Sequence, residues 1–156
     1  MHSFLPTVLM APLLAASAAS AQVHSSAEAR LLSSYAAAWS SNNVERVAAY
    51  FTDDAIYEDV ALGQVHKGKS AIKAFAQRTF SDLPGFSMKQ QSLVLGNGSA
   101  AIEWVMSGTY RKTGKSFSVR GVSVMQLENG KIRRNSDYWN IAEFQRQTGV
   151  PGASGT

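Results

Sequence analysis

Near Phe86 the hydrophobic period of the chain changes for the rest of its strands, and that change limits the fold more than any other feature. Before it, apolar residues recur every three or four positions, the spacing of helices that bury one face; after it they alternate with polar residues, the spacing of strands that bury one face. The segments "SMKQQSLVLG", "SAAIEWVMSGTYR", "KSFSVRGVSVMQLE" and "KIRRNSDYWN" read as four strands. They are joined by "NGS", "KTG" and "ENG", the Gly- and Asn-bearing turns of antiparallel hairpins. Helices first and a long antiparallel sheet after predict an α+β domain.

The helical half divides into three. A first helix is predicted from Ser26 to Ser41, where Leu31, Leu32, Tyr35 and Trp39 share a face, Ser25 or Ser26 is the N-cap and Glu28 lies in the first turn. Asn43 caps a short second helix with Val44, Val47, Ala48 and Phe51 on its apolar side. A strand from Ala55 to Val60 follows, and Gly68 then opens a third helix that buries Ile72, Phe75, Ala76 and Phe80 and stops before Pro84-Gly85.

Residues 1–21 read as a signal peptide. Phe4 to Ala16 is apolar but short for a bilayer, and it runs into the small-x-small site Ala19-Ser20-Ala21. Cleavage there predicts an exported protein, periplasmic or secreted, with no membrane attachment once the signal is removed. Residues 22–149 then form one domain and residues 150–156 a disordered tail. There is no Cys, which excludes disulfides, thiol chemistry and a lipid-modified Cys anchor. The net charge of +4 does not imply nucleic acid, because the Lys and Arg between Arg111 and Arg134 gather at hairpin turns rather than along a continuous stripe.

No Gly-rich phosphate loop or nucleophile elbow occurs, and His24 and His66 are the only histidines after residue 21, so no metal site and no cofactor are predicted. General acid and base work would fall to Asp, Tyr and His66 in an apolar cavity, where burial raises carboxylate pKa values toward the working pH. Alternation turns Ile102, Trp104 and Met106 inward and Glu103 outward. For Asp137 it leaves both faces open, since Ile132, Arg134, Ser136 and Tyr138 are no more apolar than Arg133, Asn135, Asp137 and Trp139. Asp59 shares a face with Tyr57, and it is either a pocket acid or a strand-end residue bonded to the next loop. Tyr35 reads as a core aromatic with its hydroxyl satisfied, and His66 as a residue of a solvated loop within reach of a pocket rim.

From about Ala27 to Gly149 the chain resembles the SnoaL-like branch of the superfamily with the nuclear transport factor two fold, which includes ketosteroid isomerases, limonene epoxide hydrolases and polyketide cyclases. The resemblance is carried by "YAAAWSSNNVERVAAYFTDDAIYEDVALG", "HKGKSAIKAF" and "RGVSVMQLENGKIRRNSDYWNIAEFQRQTG". It implies a cone-shaped roll, three N-terminal helices on a strongly curved, mixed but mainly antiparallel sheet that encloses an apolar pocket. The isomerases' base maps onto Asp59 and their oxyanion tyrosine onto Tyr35, while their second oxyanion acid falls at Ser123. A hydroxyl is a weaker donor than a protonated acid, so steroid isomerisation is not the expected reaction. The epoxide hydrolases place an acid at Asp137 and their water-holding pair at Tyr57 and Asp59, but their Arg and second Asp fall at Ile102 and Trp104. The acid of SnoaL-type cyclases also maps onto Asp137.

The resemblance thus implies that Asp59, Asp137, Tyr35 and Tyr57 carry chemistry, and that Trp39, His66, Trp104, Met106, Ser123 and Trp139 contact substrate. The expected function is a cofactor-independent lyase, isomerase or cyclase acting on a hydrophobic aromatic or polycyclic small molecule. The alternative is a non-catalytic exported protein that binds an apolar ligand. The outer sheet face, with Val105, Val122 and Val124, offers a surface for a homodimer.

Overall fold

The computed structural model describes residues 27–151 of the 156-residue chain. The expected signal peptide and residues 152–156 of the expected tail lie outside the described residues.

The predicted first helix is two. Residues 27–33 form α1 and Tyr35–Ser40 form α2, with a turn at Ser34 (φ −99°, ψ −2°). The serine pair explains the break, because the hydroxyls of Ser33 and Ser34 donate to the carbonyls of Arg30 (2.8 Å) and Leu31 (2.9 Å). Such local bonds compete with the helical ladder. Ser34 also shares a 2.7 Å hydrogen bond with the Tyr50 hydroxyl. The apolar stripe survives the break, and Leu32, Tyr35 and Trp39 are all fully buried. Helix α3, Val44–Ala48, is capped as predicted, the Asn43 side chain accepting from the Arg46 N–H at 3.0 Å.

Strand β1, Phe51–Asp59, begins earlier than expected and pairs with β2, Gln64–Lys67. The segment around His66 is therefore a strand, not a loop. A short, exposed edge strand needs only backbone pairing, and so leaves no apolar alternation in the sequence. Gly68 (φ +83°) makes the turn into α4, Lys69–Asp82, in a conformation that a side chain would oppose. Ile72, Phe75 and Ala76 of α4 are buried.

The four strands after Phe86 are β3 (Ser87–Gly96), β4 (Ser99–Tyr110), β5 (Lys115–Glu128) and β6 (Lys131–Trp139). The sheet order is β2-β1-β6-β5-β4-β3, in which β1 and β6 run parallel and every other pair is antiparallel. Register shifts at Gln90/Ser92 and at Gln126/Leu127 bend this curled, mixed sheet. Ile102, Trp104 and Met106 face the core as predicted, and Glu103 is exposed. Of the outer-face valines, Val124 is exposed and Val105 and Val122 are half-buried.

A further helix, α5 (Ile141–Thr148), follows β6. Asn140 caps it by accepting from the Glu143 N–H at 2.9 Å, and Phe144 packs edge-to-face on Tyr110, Phe117 and Trp139. The architecture is α+β, with the helices on one side of the six-stranded sheet.

Candidate active site

The parallel pairing of β1 with β6 brings the two acids together. Its register sets Tyr57 beside Asn135 and Asp59 beside Asp137, so side chains far apart in sequence stand side by side on one face. Only 5% of Asp59 and 4% of Asp137 are exposed. The ambiguity of β6 has a structural cause. Leu127 pairs with Ile132 while Gln126 pairs with Arg134, so Arg133 is an extra residue that resets the alternation. Ile132 and Asp137 can therefore both be buried although they are an odd number of residues apart.

Asp137 is held by three donors. The Ser123 hydroxyl (2.6 Å) and the Asn135 side-chain amide (2.7 Å) donate to Oδ1, and the Tyr57 hydroxyl donates to Oδ2. Ser123 in turn accepts from the Trp104 indole N–H at 2.8 Å, so its oxygen is used both ways. That indole has room because residue 121, opposite it on β5, is glycine: a Cβ there would stand 2.3 Å from the Trp104 ring. Burial pushes the Asp137 carboxyl up to about 6, overcoming the downward pull of hydrogen bonds from Ser123, Tyr57 and Asn135, and the charge of Asp59 adds to the rise.

Asp59 accepts at Oδ1 from the Leu62 N–H (2.9 Å) and the Trp139 indole N–H (3.0 Å). It is thus a pocket acid and a loop cap at once, joining the two roles the sequence left open. Burial raises its pKa above the usual 3.8, against the lowering effect of its donors. Burial, followed by the charge of Asp137, lifts the Tyr57 phenol well above 10, so it remains protonated and able to donate at neutral pH.

Both acids line a cavity of about 540 Å³ between the sheet and the helices. Trp39, Tyr57, Trp104, Met106 and Trp139 line it too. Tyr35, His66 and Ser123 do not belong to its lining. Tyr35 is fully buried behind it, its ring against Trp39, Tyr50 and Phe51 and its hydroxyl without a partner among the described residues. Burial, with the charge of Asp137 second, holds that phenol well above its usual range. His66 stacks on Phe75 at 4.4 Å, and burial, then the charge of Arg78, lowers its pKa. Ser123 reaches the cavity only through Asp137.

Sequence reasoning missed Asn135, whose contribution depends on the bulge, and α5, whose Ile141 and Phe144 close part of the wall. Asn140, Glu143 and Gly149 were the capping signal that could have revealed the helix. Val150 and Pro151, assigned from sequence to the tail, also line the cavity. Among the described residues no cluster of three or more His, Cys, Asp or Glu could hold a metal ion. The cavity's own side chains offer the chemistry of two neighbouring buried carboxyls and a phenol.

Comparison with known proteins agrees with this architecture. A family model for a SnoaL-like domain matches residues 32–135. The chain is 29% identical over 102 residues to the cyclase aurE of Calcarisporium arbuscula, an alignment covering 62% of this chain and 74% of that one. A protein of ketosteroid isomerase-like fold from Catenulispora acidiphila DSM 44928, solved in complex with trimethylamine, superposes with a TM-score of 0.74. It is 22% identical, with 78% of this chain and 93% of that chain covered. TerC, co-crystallised with polyporic acid, gives a TM-score of 0.70 at 15% identity, covering 80% of this chain and 99% of that chain. With two-thirds of its length matched by the family model, and the cone-like sheet shared with these structures, the chain belongs to the SnoaL-like domain family.

Proposed function

We propose that the protein catalyses a cofactor-independent proton-transfer reaction of the cyclase or isomerase type on a hydrophobic aromatic or polycyclic small molecule, with Asp137 moving the proton. The observation that carries this reading is the Asp137 carboxyl itself. It is buried in the cavity wall, oriented from behind by Ser123 and Asn135, and pushed to about 6, close to the pH at which it would work. As a carboxylate it takes a proton from carbon next to a carbonyl; as an acid it returns one to the rearranged product. Tyr57 donates to the same carboxyl and stabilises its charged form, the state it holds before the first transfer and regains after the second. The similarity to a cyclase supports the reaction class.

A second reading, a non-catalytic binding protein for an apolar ligand, draws on those same donors, which already occupy three acceptor positions of Asp137. One experiment separates the two. Ligands co-purifying with the protein are identified by mass spectrometry and tested for turnover with the wild type and Asp137→Asn. The catalytic reading expects a loss of about a hundredfold or more with the fold intact. Equal rates remove Asp137 from the mechanism, and a ligand that binds but is never converted selects the second reading.

A further inference from the structure

The charges that line the cavity are unevenly placed. Asp59 and Asp137 are nearly inaccessible to solvent, whereas Arg78 and Asp82, on α4, are exposed. Among the described residues neither buried acid has an ion-pair partner. A buried carboxylate without a counter-charge is costly, and a ligand that brings the opposite charge offsets that cost.

The two acids differ in what they can still accept. Asp137 has donors on both oxygens, while the Leu62 and Trp139 hydrogen bonds to Asp59 both fall on Oδ1, and the Ala61 N–H adds only a smaller pull on the same carboxyl, which leaves Oδ2 the less occupied oxygen. Trp139 is tied to Oδ1 by its indole N–H and lines the same cavity as this carboxyl. The same cavity is walled by Trp39, Trp104, Tyr57 and Phe75, and all three tryptophans of the chain line it. Aromatic faces, tryptophan above all, attract cations whose charge is spread over alkyl groups.

From these features we infer that the cavity takes a ligand bearing a protonated amine or quaternary ammonium group, seated between Asp59 Oδ2 and the faces of the tryptophans. A neutral ligand of the same shape fills the volume but leaves the acids unbalanced. An anionic one meets two carboxyls in the interior, with Arg78 only at the exposed rim. The inference rests on the cavity being the binding site, as in the proposed function, but not on turnover.

The test uses three probes built on one benzene ring: benzyltrimethylammonium, benzyl alcohol and phenylacetate. Binding is followed at pH 7.5 by titration calorimetry and by tryptophan fluorescence, which here reports from the cavity wall. The ammonium probe is expected to bind saturably and about tenfold or more tighter than either of the others. Asp59→Asn keeps an acceptor for Leu62 and Trp139 but lacks the charge, and it is expected to weaken the ammonium probe about tenfold while leaving benzyl alcohol unchanged. A wild-type circular dichroism spectrum certifies that the variant is folded. Equal or tighter binding of the alcohol or phenylacetate, no saturable binding of the ammonium, or undiminished ammonium binding by Asp59→Asn overturns the inference. A protein that binds the ammonium probe yet shows no Asp137-dependent turnover keeps this inference and loses the reaction; the converse result does the opposite.

Discussion

Replacing Asp137 by Asn removes a charge that folding confines to an apolar wall, and its effect on stability follows from the site. An unfolded aspartate titrates near 3.8, and burial moves Asp137 to about 6 in the folded protein. Between those values the folded state keeps a proton that the unfolded chain has released, so stability falls as pH rises. The favourable contribution is complete below about pH 4 and gone above about pH 6, and the whole span is worth about 3 kcal/mol. Asn does not ionise. Its Oδ1 can still accept from Ser123 and Asn135, and the Tyr57 hydroxyl can turn to accept from the new amide. Asp137→Asn is therefore expected to match the wild type at pH 4 and exceed it by about 1–3 kcal/mol at pH 8, while losing turnover.

Urea unfolding of both proteins at several pH values measures this. Other acids act oppositely: Glu143, held at about 2 by hydrogen bonds from Arg146 and Gln147, loses its contribution as pH falls. Subtracting wild type from mutant at each pH removes such shared effects. A difference that stays flat from pH 4 to pH 8, or a mutant less stable than wild type at pH 8, refutes the burial argument.

Two further substitutions test the support behind the acid. Gly121→Ala places a methyl group where the Trp104 ring now lies, which should displace the indole, break its bond to Ser123 and destabilise the protein by about 1–3 kcal/mol. Unchanged tryptophan fluorescence and an unchanged urea midpoint would contradict it. Ser123→Ala removes a donor that lowers the Asp137 pKa and leaves the Trp104 N–H buried without a partner. Carboxyl NMR titration should then show the Asp137 midpoint above about 6, with a stability loss of about 1–3 kcal/mol. A midpoint at or below the wild-type value rules out the assigned hydrogen bond.

The four C-terminal strands were legible because their signals are local: alternation marks each strand and Gly-bearing turns mark its ends. Asn43 and Gly68 marked two helix starts for the same reason. Three elements escaped. The break at Ser34 depends on serine hydroxyls choosing backbone partners, β2 on pairing with β1, and α5 is only 8 residues long. The inward set of β4 was readable because its alternation is unbroken, whereas that of β6 was not, because the bulge at Arg133 shifts its phase.

By itself the sequence determined an α+β chain whose four long strands follow Phe86, no thiol chemistry, and a short list of acids and aromatics able to line a pocket. Only the tertiary structure decided how those residues meet. The parallel β1–β6 pairing that sets Asp59 beside Asp137, the glycine that admits Trp104 above Ser123, and the separation of Tyr35 and His66 from the cavity all depend on residues distant in the chain. Local periodicity carries no information about which strands become neighbours when a sheet curls, and the burial that raises the Asp137 carboxyl to about 6 exists only once it has closed.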